Sequence, residues 1–228
     1  ENKRSRYAAT TNWPDKLWRA DELVPPRLAN LAASKYPILD SQEFPEEMAK
    51  SLGLITHLKL EDIIDHFNTV RMLSLDDKNL KSIRHTANEF YQNLADANNI
   101  PDNFDLKTVP SILVDREWRH PNRCFLEPLP FKTSWAASLS DSGISIEHSR
   151  IRAGLENLGV RHSPSNDDWL QMLSDLADEY AGKALPSNIQ NQARYALRLL
   201  RSADSDWLQQ SDVFVLQADS TLKNSELT

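Results

Sequence analysis

Between residues 60 and 73, Leu60, Ile63, Ile64, Phe67 and Val70 recur at three- and four-residue spacing, with Glu61, Asp62 and Asp65 in the first turn or on the opposite side. This spacing predicts an amphipathic helix whose early acids favour the positive end of its dipole. A second stripe runs through Leu80, Ile83, Ala87, Phe90, Tyr91 and Leu94. Ahead of it, Ser74 with Asp77 three residues on reads as a capping box that opens the helix. A shorter helix is expected in "FPEEMAKSLG", where Pro45 suits a first turn, Glu46 and Glu47 follow it, and Gly53 marks the stop.

The second half of the chain runs the same programme. "SIEHSRIRAGLENLG" ends on Gly159, and "SNDDWLQMLSDLADEYAG" carries Trp169, Leu170, Leu173, Leu176 and Tyr180 ahead of Gly182. After Ser187 the stripe is Ile189, Ala193, Ala196, Leu197 and Leu200. Without a gap, Leu52-Gly53 and Leu158-Gly159 stand 106 residues apart, and so do Asp62 and Asp168, Ile83 and Ile189, Ala87 and Ala193, and Leu94 and Leu200. Only six of the 46 positions aligned from Ser51 are identical. The correspondence therefore rests on the order of apolar positions more than on residue identity.

Ahead of each helical block stands a short motif. "DKLWR" at 15–19 and "DREWR" at 115–119 share Asp, Trp and Arg at an offset of 100, and "DSTLK" places Asp219, Leu222 and Lys223 104 residues after Asp115, Trp118 and Arg119. "VPSILV" and "EWR" read as the two strands of a hairpin turning at Asp115, and "VFVLQ" as the incoming strand of the last copy. An isolated hairpin is marginal in water, so each must pack on helices.

The fold expected is α+β, mostly helical, in tandem repeats of about 100 residues, each a β-hairpin, a proline-containing connection and about three helices. The units expected are 7–100, 101–204 and a third begun at 205–228, so the chain reads as an excised piece of something longer.

Composition narrows the function. The 228 residues are 40% apolar, enough for packed cores, and 33 acids against 26 bases give a net charge of -7. That charge disfavours a general grip on nucleic acid or on an anionic membrane. The single cysteine, Cys124, excludes an internal disulfide framework and fits a reducing compartment. With no spanning stretch and no signal-peptide core at the start, the expected location is cytoplasmic. Five glycines and the absence of GxxxxGK[ST] or GxGxxG leave no phosphate-cradling loop of the common kinds.

The segments "VPSILVDREWRHPNRCF", "DKLWRADELVPPRL" and "VFVLQADSTLKNSEL" resemble those that follow the ATPase module in sacsin-type proteins, very large chaperone-like polypeptides with an ATPase of the gyrase, histidine-kinase and chaperone type. The family turn is commonly Asp-Gly, whereas Lys16, Arg116 or Ser220 follows the Asp here, which argues against a tight type I′ turn. The resemblance implies a non-enzymatic scaffold or protein-binding segment. Its partners would be a protein client or neighbouring domains of the same chain, with no cofactor.

The rival reading is an incomplete ATP-binding domain. In "EFYQNLADA", Glu89, Asn93, Asp96 and Ala97 match the helix of that ATPase superfamily whose Glu activates water and whose Asn holds magnesium, and Glu89 and Asn93 share a helix face. Leu94 replaces the family alanine, and neither the Asp-x-Gly-x-Gly motif nor a glycine-rich lid is present. Elsewhere no histidine or cysteine stands at metal-ligand spacing, and Cys124 reads as a small buried hydrophobe. His66 and His85 are read as polar-face residues of their helices, and Glu46-Glu47, Asp76-Asp77 and Asp167-Asp168 as acids at helix starts. No catalytic or metal-binding residue is assigned. The candidate interaction surface is Arg116, Arg119, His120, Asn122 and Arg123, around Trp118.

Overall fold

The structure, a computed structural model of the chain, describes residues 17–39, 45–96, 105–140, 142–181, 183–201, 213–216 and 222–225, with backbone alone at 213–216 and 223–225. It is α+β with about 49% helix. The described residues divide into two compact units, one reaching Pro128 and taking up Ala136–Arg161, the other Leu129–Trp135 with everything from His162.

In the first unit lie a single turn α1 (Ala29–Ala32), α2 (Glu46–Ser51), α3 (Leu60–Arg71) and α4 (Leu80–Leu94). The predicted stripes become buried faces: Ile63, Ile64, Phe67 and Val70 on α3, and Ile83, Ala87, Phe90, Tyr91 and Leu94 on α4. Phe67 and Phe90 stack with centroids 3.7 Å apart, each burial contributing about 1.5–3 kcal/mol. The Ser74 capping box is not formed. Asp76 Oδ1 instead accepts the N–H groups of Lys78 and Asn79 at 3.1 and 3.0 Å, holding a turn that delays the helix to Leu80. Asp76 and Asp77 therefore stand in the turn that runs directly into α4, with the Asp76 carbonyl accepting the Leu80 N–H at 2.9 Å.

Strands β1 (Ile112–Val114) and β2 (Glu117–Arg119) form the hairpin expected around Asp115, with Leu113 opposite Trp118. Of the two turn residues only Asp115 has positive φ, 53°, so the turn is not type I′, which needs it at both. The hairpin packs on the helices before it. Tyr91 of α4 donates its hydroxyl to the Ser111 carbonyl at 3.0 Å and accepts the Leu113 N–H at 3.1 Å, while the Trp118 ring meets Phe67 edge-on at 5.5 Å. Two-residue strands β3 (Cys124–Phe125) and β4 (Ala137–Ser138) pair in parallel. Helix α5 (Ser149–Asn157) lies against α4, and Asn157 Nδ2 donates to the Leu94 carbonyl at 2.8 Å.

The second unit holds α6 (Asn166–Tyr180), α7 (Ser187–Leu200) and an antiparallel hairpin of β5 (Val213–Leu216) and β6 (Leu222–Ser225). Ser165 and Asp168 form a reciprocal capping box at the start of α6. Its core joins Trp169, Met172, Leu173 and Leu176 to Ala193, Ala196 and Leu200, with Leu222 of the hairpin buried among them. The Leu129–Trp135 segment adds Phe131 and Trp135, whose rings lie 6.2 and 5.2 Å from Trp169.

One end of each helix falls at an offset of 106 residues, while the opposite ends, the starts of α2 and α5, the ends of α3 and α6 and the starts of α4 and α7, differ by 103, 109 and 107. Helices α2 and α5 end at 51 and 157, α3 and α6 begin at 60 and 166, and α4 and α7 end at 94 and 200. Both α2 and α5 close with the same paired bonds. Leu54 and Gly53 donate to Ala49 and Lys50, and Val160 and Gly159 donate to Leu155 and Glu156, with φ of 76° and 99° at the two glycines. Burial keeps the same register: Ile63, His66, Phe67 and Val70 correspond to buried Trp169, Met172, Leu173 and Leu176. Before the first helices, 3₁₀ turns at Ala20–Glu22 and Pro121–Arg123 each lead into an extended segment that pairs in parallel with a later one. Asp15, Lys16 and Asp219 lie outside the described residues, and Leu17–Arg19 are not in a strand.

Candidate interaction surface

The hairpin motif sets its five polar residues along one short path. Arg116 stands in the turn, where Nη2 meets Asp77 Oδ1 at 2.5 Å, both side chains being well exposed. Arg119 ends β2 and pairs with Glu117, two residues back on the same strand. His120 caps the 3₁₀ turn that holds Asn122 and Arg123. Asn122 and Arg123 are exposed, and the Asn122 carbonyl accepts from Arg161 Nη2 at 3.0 Å. Arg116 and Asn122 thus flank β2 at its two ends. Two of the arginines face acids, which partly neutralises the motif as an anion site. The exposed Arg116–Asp77 pair contributes about 0–1 kcal/mol, so it leaves the Arg116 guanidinium available to a partner at little cost, whereas the Arg119 side chain is only 21% exposed.

Trp118 is the structural centre of this surface and not part of its polar face. Its ring is half-buried against Val70, Ile83 and Leu113 and against Phe67. Asp77 was not legible as the partner of Arg116, because 39 residues separate the two and no local pattern joins them.

The residues of the ATP-binding rival are engaged otherwise. Glu89 Oε1 accepts from Asn30 Nδ2 of α1 at 3.0 Å and lies 3.0 Å from His85 Nε2, and burial pushes its carboxyl above the ordinary value. Asn93 Nδ2 donates to the Glu89 carbonyl one turn back at 2.9 Å. Asp96 pairs with Arg150, Ala97 lies outside the described residues, and Leu94 is a buried member of the α4 stripe. Among the described residues no group of three His, Cys, Asp or Glu side chains could hold a metal ion.

His66 departs from its polar-face reading. It is buried, with Ser34 N–H donating to Nδ1 at 3.2 Å and Ser34 Oγ at 2.7 Å, and burial lowers its pKa to about 4. The α3 face had room for it because Ser34 and the backbone of Asn30 lie alongside. His85 is exposed as expected. Cys124 is buried and its pKa is pushed up to about 12 by desolvation, which removes it as a nucleophile. Among the described residues no helix is long and apolar enough to cross a membrane.

Compared with family models, curated proteins and solved structures, the chain matches none of them.

Proposed function

We propose that the chain is a non-catalytic scaffold or protein-interaction segment built of tandem units of about 100 residues, 7–100, 101–204 and a third begun at 205–228. The observation that carries this reading is the 106-residue register shared by one end of each helix, the glycine caps and buried positions in α2–α4 and α5–α7. In each helix pair the following hairpin supplies an apolar residue to the core, half-buried Trp118 for α3–α4 and buried Leu222 for α6–α7. An element whose own apolar face is completed by the next unit is suited to connecting and spacing. The contact-defined division falls elsewhere than these boundaries, because the β1–β2 hairpin and α5 of the second sequence unit pack on α4 of the first.

The hairpin motif's resemblance to sacsin-type segments favours a place in a large cytoplasmic chaperone-like ATPase, with a protein client or neighbouring domain as partner. Arg116, His120, Asn122 and Arg123 are the positions that would meet it. The capture of Glu89 by Asn30 and of Asn93 by its own helix supports a non-catalytic role.

Calorimetry with magnesium-ATP tests this reading. Titration should give no saturable heat. Saturable binding that Asn93→Ala abolishes would replace the scaffold with a nucleotide-binding domain.

A further inference from the structure

Helices α2 and α5 correspond in register but differ in what covers them. Ala49 and Leu54 are buried, as are Leu155 and Val160 at 106 residues further on. Pro45, Met48 and Leu52 are exposed, Met48 at 51% and Leu52 at 53%. Their counterparts Ile151, Gly154 and Leu158 are buried. Spacings of three and four residues put each trio on one helix face. The face is thus covered in α5 and half-exposed in α2.

The opposite half of the contact shows the same asymmetry. On α4 the face turned to α5 includes Asn88, whose Oδ1 accepts the Ser145 N–H at 3.3 Å, and Tyr91, whose carbonyl lies against Gly154. Asn88, Tyr91, Gln92 and Ala95 are all buried or half-buried. Their counterparts on α7 are Arg194, Leu197, Arg198 and Arg201, of which the three arginines are exposed and Leu197 half-buried. Among the described residues, this particular helix-on-helix contact is assembled once, as α5 on α4, and its two halves recur at α2 and α7.

We propose that α7 of one molecule seats α2 of a second copy of this chain, head to tail, as α4 seats α5 within each molecule. The proposal rests on the repeat register of the scaffold reading. Charge adds to the pairing: α7 presents Arg194 and Arg198, with Arg201 at its C-cap, while α2 opens with Glu46 and Glu47, of which Glu46 already pairs with Lys50 at 2.8 Å and with Arg27 at 3.2 Å and Glu47 is exposed. The seat is wider than that of α5. A Cβ at Gly154 would stand 1.7 Å from the Tyr91 carbonyl oxygen, so Met48 at that position keeps α2 further out, and its flexible thioether side chain fills the space. Because each copy offers one face of each kind, the contact is heterologous and propagates unless it closes into a ring.

Sedimentation of the whole chain at rising concentration tests this. The weight-average mass should climb beyond two chains in low salt and fall back as salt screens the arginines. Met48→Asp with Leu52→Asp, and separately Arg194→Glu with Arg198→Glu, should each weaken association at least tenfold, with far-UV circular dichroism unchanged because all four side chains are exposed. An equimolar mixture of the two variants retains one intact α2 face and one intact α7 face, so it should form a dimer and nothing larger. A monomeric wild-type chain, variants that still polymerise, or a mixture that stays monomeric would each overturn the proposal. None of these outcomes touches the magnesium-ATP titration, whose failure would strike the scaffold reading alone.

Discussion

Gly154 of α5 lies so close to Tyr91 of α4 that a Cβ at position 154 would stand 1.7 Å from the Tyr91 carbonyl oxygen. The obstacle is backbone, so no side-chain rotation relieves it, and the two helices must separate to admit a methyl group. Gly154→Ala should destabilise the chain by about 3 kcal/mol, at the upper end for overpacking. Gly159 makes the contrast, since its φ is 99° but nothing lies within 4 Å of the added atom. Gly159→Ala should cost only the backbone strain, about 1–2 kcal/mol. Urea denaturation of the two variants separates close approach from conformational freedom, and equal losses would contradict the packing described for α4 and α5.

Trp118 binds the β1–β2 hairpin to the α3–α4 pair through Phe67, Val70 and Ile83. Trp118→Ala should cost about 3 kcal/mol, toward the low end for a large aromatic because the ring is half-buried. A loss under about 1 kcal/mol would mean the ring is dispensable to the core and available to a partner. Arg116→Ala, which removes only the exposed pair with Asp77, should cost under about 1 kcal/mol. If both losses hold, the motif divides into an anchoring tryptophan and a polar rim.

Elements built from local periodicity were legible in the sequence. The α3 and α4 stripes, the hairpin at Asp115 and the stops at Gly53 and Gly159 all follow from spacing that a single helix or strand imposes. What escaped depends on distant partners. Gly154 looks like a weak point inside a helix until Tyr91 is set against it, and His66 looks like a polar-face residue until Ser34 covers it. Phe131 and Trp135 lie in an irregular stretch with no period, yet they complete the aromatic core around Trp169. The polar surface divides in the same way. Arg116 and Arg123 could be named from the motif, but the acid facing Arg116 comes from the turn before α4.

Cys124 offers a probe of opening. Its side chain is buried, and its pKa is pushed up to about 12 by burial, with the Arg119 charge opposing. An aromatic disulfide reagent at pH 8 should label the native chain at least about a hundredfold more slowly than the urea-unfolded chain, because labelling waits on local or global opening. Fast native labelling would place the thiol near solvent and contradict its position in the α3–α4 core. Gly154→Ala, by loosening α5, should speed labelling.

The buried imidazole of His66 gives the chain an acid-side dependence of stability. Its folded pKa is about 4 against an ordinary 6.5, lowered by burial and opposed by the backbone of Asn30. Above pH 6.5 neither state binds the proton and the full stability is present. Between 6.5 and 4 the unfolded chain is protonated while the folded chain is not, so stability falls by about 1.4 kcal/mol per pH unit, on the order of 3 kcal/mol in all. Glu89 acts in the opposite sense. Burial raises its carboxyl pKa, so its contribution grows on acidification and is lost as pH rises through the folded value. The two effects overlap, and the histidine is isolated in a Glu89→Gln background. There, urea midpoints should decline from pH 7 to pH 4.5. Adding His66→Met, which installs the residue found at the corresponding buried position Met172, should flatten that decline. A slope unchanged by His66→Met would mean that the imidazole is protonated within the fold or exposed to solvent.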